Sequence, residues 1–206
     1  MFKKSNRIIP IHIKPEMRIK ILDDEKLEKI HQASLTVLKE AGVRFPSEKV
    51  LKIFAEAGAK VDFKTKNVRI PSDLLMDALA KAPRSYTMAS RGSPDLDLHL
   101  DGTKTYFGTD GTGTATVDLE TCKRRASTKK DIAMMALISD YLPSVSFYWP
   151  MVSAQDVPPE VVPLHELEAS FINTEKHVHI ISCVEEKVAR YAVEMATLVA
   201  GDSNTV

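Results

Sequence analysis

The sequence predicts an α/β protein, and two changes of pattern along the chain support this fold class. From residue 145 to residue 200, short runs of β-forming residues alternate with helical segments of about 15 residues, which is typical of βαβ units and a parallel sheet. Before them, residues 84–126 lose helical periodicity and become rich in Gly, Thr and Asp, which indicates β-hairpins. Residues 24–81 are mainly helical.

Two helices open the N-terminal region, and a glycine ends each of them. Asp23 or Asp24 is placed to cap the first helix, whose apolar residues recur at helical spacing as far as Gly42. Ser47 opens the second helix, which ends at Gly58. Both helices end in a Glu-Ala-Gly sequence, which predicts similar C-caps and not a solenoid, because a repeat array needs at least three copies.

Short strands, a helix and hairpins are predicted next. Strands at 59–63 and 67–70 flank a polar turn, and Ser72 is expected to cap a third helix that Pro83 ends. In the β-rich segment, alternating apolar residues predict strands at 85–90, 95–100, 103–108, 114–119 and 122–126.

The last part of the chain predicts alternating helices and strands. Thr128, with Asp131 three residues later, resembles a capping box and opens a helix that runs to Tyr141. The elements after it are a strand at 145–152, a helix at 160–174, a strand at 177–183 and a helix at 185–200 that Gly201 ends. A sheet this small leaves an open edge that normally needs covering, so the chain is expected to be the N-terminal part of a larger protein.

Charge and composition argue against several classes of function. The chain has 28 Lys+Arg and 28 Asp+Glu, so its net charge is zero and it has no electrostatic preference for nucleic acid or anionic lipid. It contains no apolar run long enough to span a membrane and no apolar core of a signal peptide near its start. Cys122 and Cys183 lie far apart without a CxxC partner, which favours a reduced cytoplasmic protein over a disulfide framework or a zinc site.

Motifs for common chemistries are incomplete. The glycine-rich run 108–113 precedes a strand pattern at 115–119 and not a helix, so it predicts a bend in a hairpin, with Asp110 facing a ligand, and not a phosphate loop. His177 and His179 share one face of a predicted strand, as two metal ligands would. No companion ligand has a recognised spacing, and 165–168 is not an HExxH motif, so a hydrogen-bonded histidine in the core or at its rim is the favoured alternative.

Two further features allow more than one interpretation. Phe147, Tyr148 and Trp149 form the densest aromatic cluster, which suits either core packing or a face that receives a cation. Cys183 ends a predicted strand, where functional groups of parallel sheets gather. Two roles are open for Cys183, a nucleophile and a buried inert thiol. The inert thiol is favoured because no His-Asp or His-Asn partner can be assigned.

A set of short segments occurs in a fixed order over nearly the whole chain. They are Glu-Ala-Gly-Val at the end of 35–43, Ala-Gly-Ala-Lys-Val-Asp at 57–62, Val-Arg-Ile-Pro and a helix ending in Ala-Pro at 68–83, Ser-Arg-Gly at 90–92, Thr-Cys-Lys-Arg-Arg-Ala-Ser-Thr-Lys-Lys-Asp at 121–131, and Asn-Thr-Glu-Lys-His at 173–177. Taken together, the sequence resembles the trimethylamine methyltransferase family, which includes the non-pyrrolysine glycine betaine and other quaternary-amine methyltransferases.

The resemblance implies a fold and an activity. The fold is an incomplete (β/α)8 TIM barrel, with a helical and β-hairpin N-terminal region at 1–102 and the first βα units at 103–206. The activity is transfer of a methyl group from a methylated amine, expected to be a quaternary amine such as a betaine, to the cobalt of a corrinoid, as part of one-carbon metabolism. The corrinoid is carried by a cognate partner protein, so no cofactor and no metal is expected to bind directly.

The candidate substrate site is drawn from the ends of the predicted strands. Asp110 is expected to accept contacts from a cationic substrate and Trp149 to form one wall of a cation cage, which requires both at the same end of the sheet. The full candidate set is Tyr106, Asp110, Trp149, Met151, Gln155, His179 and Cys183.

Two alternatives to the methyltransferase stay open. The chain is also compatible with a truncated, inactive fragment that serves in assembly or binding, because most of a barrel is missing. A different small-molecule binder on an α/β scaffold is the other alternative, since fold alone does not fix function. The identity of the amine and the formation of a homo-oligomer are left open.

Overall fold

The computed structural model describes residues 9–14, 20–111, 113–179 and 183–201. They fall into two compact units, one within Met17–Arg84 and one within Met1–Glu16 and Ser85–Val206. The predicted domain division after residue 102 stays a prediction. In the described part of the chain, no helix is long and apolar enough to cross a lipid bilayer.

The helices of the Met17–Arg84 unit begin close to where the sequence predicts. Helix α1 spans Asp24–Thr36 and continues as a wider π-helical turn over Val37–Ala41, α2 spans Glu48–Glu56 and α3 spans Ser72–Lys81. The Asp23 carboxylate accepts the Lys26 N–H at 2.8 Å, so of the two predicted caps Asp23 and not Asp24 is the one formed. The cap predicted at Ser72 is wrong, because Pro71 occupies the N-cap position and Ser72 is the first helical residue.

A three-stranded antiparallel sheet completes this unit. Its strands are β1 at Val43–Arg44, β2 at Lys60–Asp62 and β3 at Asn67–Arg69, in the order β1-β3-β2. Val68 of the central strand and Leu51 of α2 are almost fully buried. Gly42 adopts a φ of +79°, and a Cβ at that position would lie 2.5 Å from the Val68 carbonyl oxygen, so the turn into β1 needs glycine.

Two hairpins lie in the other unit. Strand β4 at Tyr86–Met88 pairs with β5 at Leu98–Leu100, and β6 at Ala115–Val117 pairs with β7 at Arg124–Ala126, both antiparallel. A short 3-10 turn at Pro94–Leu96 lies between β4 and β5. The strand predicted at 103–108 appears as two isolated bridges, at Thr105 and Gly108.

Three segments of this unit run parallel to one another, and we call them the parallel layer. The second segment (147–152) includes β8 at Phe147–Tyr148, and the third (177–179) includes β9 at His177–Val178. The first segment (107–111 and 113) joins the second through parallel bridges at both ends. The regular strands are shorter than predicted, and residues 180–182 of the predicted third strand lie outside the described residues.

Helices follow each of the three segments along the chain. They are α4 at Lys129–Tyr141, α5 at Val162–Asn173, which follows a 3-10 turn at Pro159–Val161, and α6 at Glu186–Ala200. Tyr148 is fully buried, its hydroxyl donates to the Ile132 carbonyl at 3.0 Å, and it packs with Ala136 and Ala169 of α4 and α5. The side of the parallel layer that carries Tyr148 therefore faces the helices. No closed barrel is formed by the described residues.

The predicted capping box at the start of α4 is confirmed. The Asp131 carboxylate accepts the Thr128 N–H at 2.8 Å, and both its oxygens accept hydrogen bonds from the Arg125 guanidinium at 2.7 and 2.8 Å. The hydrogen bonds from Arg125, and to a smaller extent those from Thr128, hold the pKa of the Asp131 carboxyl well below its usual range. The hairpin β6–β7 is thereby fastened to the helix that follows the first segment.

Gly111 of the first segment lies against the backbone of the second segment. A Cβ at this position would overlap the Pro150 carbonyl oxygen and the Met151 Cα, which are backbone atoms that cannot rotate away. We expect Gly111→Ala to lower the free energy of unfolding by about 3 kcal/mol. Gly113→Ala is the matched control, because its Cβ would meet the nearest atoms at 3.3 Å. Urea unfolding checks both, and an equal effect of the two substitutions would contradict the prediction.

Candidate functional site

Three of the predicted site residues lie at one level of the parallel layer. The bridges between the first and second segments keep a single register, which places Asp110 opposite Trp149. The pairing of β8 with β9 places His179 opposite Trp149 on the other side. Trp149 and Asp110 therefore lie at the same level of the layer, as a shared pocket requires.

Trp149 and His179 form a ring pair on the side of the layer that faces away from the helices. Side chains alternate along a strand, so Trp149 points to the side opposite Tyr148, which packs on the helices. The ring centroids of Trp149 and His179 are 4.2 Å apart, with the planes tilted by 44°. Both side chains are half-buried, and the His179 N–H donates to the Tyr148 carbonyl at 2.8 Å.

Thr109 holds the backbone of Trp149 from the neighbouring segment. Its hydroxyl accepts the Trp149 N–H at 2.8 Å and donates to the Trp149 carbonyl at 2.7 Å. These two bonds take the place of backbone–backbone hydrogen bonds between the two segments. The indole Nε1 of Trp149 is buried and has no hydrogen-bond partner among the described residues. An indole N–H is a donor only, and leaving it unpaired away from water costs free energy, so an acceptor from a ligand would be favourable here.

Asp110 brings a negative charge to the same level. Its carboxylate is exposed, and one oxygen accepts the Gly111 N–H at 2.8 Å. An exposed carboxylate next to a half-buried aromatic pair suits a small organic cation, because the ring faces and the carboxylate both attract positive charge.

Glu166 of α5 is a buried acid on the opposite side of the layer. It is 5% exposed, and its carboxyl accepts hydrogen bonds from the Ser153 hydroxyl and the Ala154 N–H, in the loop that follows the second segment. Burial raises its pKa, and the two hydrogen bonds offset this only in part. Glu166 therefore fixes the start of the loop that carries Gln155.

The raised pKa of Glu166 has a consequence for stability. The Glu166 carboxyl binds its proton more tightly in the folded protein than in the unfolded chain. Its contribution to the free energy of unfolding is therefore complete below the ordinary Glu pKa. That contribution is lost as the pH rises through the raised pKa of the folded state. We expect Glu166→Gln, which carries no charge, to be more stable than the wild type at pH 8, with the gap closing toward pH 4. Urea midpoints at both pH values measure this.

Glu168 of the same helix is the matched control for that substitution. It is exposed, and its hydrogen bond from Lys129 lowers its pKa, which is the opposite shift. Glu168→Gln should therefore bring no gain in stability at pH 8. A gain in both variants would contradict the assignment of the effect to the buried carboxyl.

Comparison with known proteins decides the family. The family model described as trimethylamine methyltransferase (MTTB) matches residues 3–206. The chain belongs to the trimethylamine methyltransferase family. The resemblance that the ordered sequence segments indicate is thereby confirmed.

Curated relatives agree with this assignment. The trimethylamine methyltransferase MttB of Desulfitobacterium hafniense (strain DSM 10664 / DCB-2) is 36% identical over 178 residues, 86% of this chain and 36% of the relative. The MttB of Methanosarcina thermophila is 29% identical over 191 residues, 91% of this chain and 40% of the relative. The glycine betaine methyltransferase of D. hafniense (strain Y51) is 26% identical over 187 residues, 90% of this chain and 38% of the relative. The chain thus spans well under half the length of these curated relatives.

The other candidate residues of this family member have different surroundings. The Tyr106 hydroxyl donates to the His99 carbonyl at 3.4 Å, and its ring lies 6.1 Å from that of His12. Met151 is half-buried, and its carbonyl accepts the Gly113 N–H at 3.2 Å. Gln155 is exposed in the loop after the second segment. Their part in a site stays a prediction.

The sequence-based expectation for Cys183 requires correction. Its thiol is exposed and not buried, because β9 ends at Val178 and Cys183 lies close to the start of α6. Cys122 is also a free, exposed thiol. The predicted place of Cys183 on the third strand would have required a longer β9, and residues 180–182 lie outside the described residues.

His177 meets the expectation of a hydrogen-bonded histidine. Its Nδ1 lies 2.8 Å from the Ala89 carbonyl oxygen, which can only accept, so Nδ1 carries the proton. Burial lowers the pKa of this imidazole. In the described part of the chain, no group of three or more His, Cys, Asp or Glu residues could hold a metal ion.

Proposed function

We propose that this family member binds a methylated amine against Trp149 and transfers one methyl group to the cobalt of a corrinoid. The substrate is a quaternary amine such as a betaine, and the corrinoid is carried by a separate protein. The observation that carries the proposal is the Trp149–His179 ring pair at 4.2 Å, with Asp110 in register beside it.

The chemistry of a quaternary amine fits this face. Its nitrogen is positive and has no N–H to donate, so recognition depends on aromatic ring faces and nearby carboxylates. Trp149 supplies the largest ring face in the chain and Asp110 an exposed carboxylate. The role of these residues is to bind and orient the cation so that one methyl carbon points toward the acceptor.

The reaction asks for no nucleophile from the protein. The C–N bond breaks, its electron pair stays on the amine nitrogen, and the methyl carbon bonds to Co(I), which supplies both electrons. The corrinoid is therefore a substrate of the reaction, and we assign no residue of this chain to hold it. We place the reaction in the cytoplasm, where the two free cysteines stay reduced.

The architecture that we propose with this function is the opening part of a (β/α)8 barrel. The three parallel segments, with helices packed on one side, support it, because a barrel is built from successive strand–helix units with its helices outside. The Trp149 side of the layer would then face the barrel interior. A whole barrel has eight such units, and the chain spans 36% and 40% of the length of two relatives.

Two measurements test the proposed function. Trp149 is the single tryptophan, so its fluorescence reports directly on this face when glycine betaine or tetramethylammonium is added. Cobalt methylation is followed by loss of Co(I) absorbance after mixing the chain with a reduced corrinoid protein and each amine. Methylation and a fluorescence change with the same amine support the proposal. The absence of both effects with every methylated amine tested overturns it.

An assembly or binding role without catalysis is the second candidate. The observation that favours it is the ring pair with Asp110 in register beside it, which can bind a cation without any chemical step. If the D. hafniense MttB methylates cobalt under the same conditions and this chain only binds the amine, the second candidate replaces the first.

A further inference from the structure

The backbone pairing between the first and second segments of the parallel layer is interrupted at the level of Trp149. Parallel bridges join the two segments at Gly108 and Phe147 and again at Gly113 and Val152, in one register. Between these bridges, within the described ranges, neither the N–H nor the C=O of Trp149 bonds to a backbone atom of the first segment. The interruption therefore coincides with the level at which Trp149 lies opposite the first segment.

The register shows which two bonds the interruption removes. Asp110 lies opposite Trp149, and a residue in a parallel ladder bonds to the neighbours of the residue opposite it. A regular ladder would join the Trp149 N–H to the Thr109 C=O and the Trp149 C=O to the Gly111 N–H. The Thr109 hydroxyl replaces both bonds, at 2.8 Å to the Trp149 N–H and at 2.7 Å to the Trp149 C=O.

The same interruption makes the Gly111 N–H available to Asp110. This N–H donates to the Asp110 carboxylate at 2.8 Å and does not bond to Trp149. A charge-assisted hydrogen bond of this kind restricts the rotation of a side chain that is otherwise exposed to water. The hydroxyl of Thr109 thus fixes Trp149 directly and Asp110 through the Gly111 N–H.

We infer that Thr109 is a positioning residue for the cation-binding face, because its hydroxyl keeps the ladder open and so places both Trp149 and Asp110. The inference rests on the proposed function. Thr109 acts through these two residues and is assigned no contact with the substrate. A threonine that served only in packing would need no hydroxyl here, and valine has a similar shape without a donor or an acceptor.

Thr109→Val and Thr109→Ser test this assignment through the binding of tetramethylammonium and glycine betaine. Valine removes both bonds to Trp149, so we expect the affinity to fall by about tenfold. Serine keeps the hydroxyl and should bind within about twofold of the wild type. Calorimetric titration measures both affinities. Equal binding by the wild type and Thr109→Val overturns the inference.

Ser146→Ala is the matched control, because Ser146 also uses a hydroxyl to contact the first segment. It precedes the second segment, and its buried hydroxyl accepts the Phe107 N–H at 3.3 Å, away from the level of Trp149. Its loss should change the affinity by less than about twofold. Circular dichroism and a thermal melt establish that all the variants fold. An equal loss of affinity in Ser146→Ala and Thr109→Val would reflect general loosening of the layer and overturn the inference.

Two further measurements separate positioning from stability. Without any amine, Thr109→Val should speed hydrogen exchange of the Trp149 amide by about tenfold, and Thr109→Ser by less than about twofold. In an Asp110→Asn background, Thr109→Val should weaken binding by only about threefold, because the carboxylate that it positions is already gone. Unchanged exchange in Thr109→Val, or a full tenfold loss of affinity in the Asp110→Asn background, overturns the inference.

The outcomes separate this inference from the proposed function. Amine binding by the wild type that Thr109→Val does not weaken overturns the inference and leaves the proposed function in place. The expected order of affinities without any cobalt methylation supports the inference while the proposed methyl transfer fails. If the wild type binds neither amine, the proposed face and the role of Thr109 are both overturned.

Discussion

Lys176→Met is expected to lower the free energy of unfolding by about 3–5 kcal/mol, which is among the largest effects of a single substitution in this protein. Lys176 is 1% exposed, and its ammonium donates to three backbone carbonyls, those of Ser139 at 2.7 Å, Leu142 at 2.8 Å and Val145 at 2.7 Å. Methionine fills a similar volume but offers no donor. The three carbonyls, two of them at the end of α4, would then be left without this partner.

The position of the charge adds to the effect. The carbonyls of Ser139 and Leu142 belong to the last turn of α4, where a positive charge also interacts favourably with the helix dipole. Burial lowers the pKa of Lys176, and the nearby Asp140 partly offsets this. The three hydrogen bonds account for the burial of an ammonium group that would otherwise be too costly.

Urea unfolding measures the effect, with Lys130→Met as the matched control. Lys130 is on α4 and is exposed, so its substitution should change the unfolding free energy by less than about 0.5 kcal/mol. Lys176→Arg is a second informative variant, because it keeps the charge but cannot place its larger head group among the same three carbonyls. A loss below about 1 kcal/mol in Lys176→Met would contradict the role assigned to the ammonium.

Local features of the fold could be predicted from the sequence, and long-range ones could not. The cap at Asp23, the capping box of Thr128 and Asp131 and the turn at Gly42 each depend on residues within a few positions, so their patterns are visible in the sequence. Lys176 bonds to carbonyls 31 to 37 residues earlier in the chain, and no local pattern marks such a contact. Its sequence neighbours suggest an ordinary exposed lysine.

The candidate site follows the same division. Trp149 and Asp110 could be selected by residue type and by their place on predicted segments, but their common level depends on a register between strands about 40 residues apart. Thr109 and Glu166 were missed, because a threonine hydroxyl that replaces a ladder bond and a buried acid on an amphipathic helix have no sequence signature. The exposed Cys183 was misjudged because its burial depended on the length of β9.

Trp149→Leu is the substitution with the largest expected effect on ligand binding. The proposed face attracts a quaternary ammonium through the electron-rich ring, and leucine keeps most of the apolar contact but removes the quadrupole. A cation–π contact that is shielded from water contributes about 2 kcal/mol, which corresponds to a loss of about 30-fold in affinity for tetramethylammonium. Trp149→Phe keeps a smaller ring and should lose only about threefold.

Calorimetric titration with tetramethylammonium measures these affinities, because the variants have lost the fluorescent residue. Tyr141→Leu is the matched control: it also removes an aromatic ring, but from the exposed surface of α4, where the side chain is 72% exposed. We expect it to bind as the wild type does. If Trp149→Leu and Tyr141→Leu bind tetramethylammonium equally well, the cation does not contact the indole. The substrate would then have to lie on another part of the parallel layer, since the ring pair with His179 would have no role in recognition.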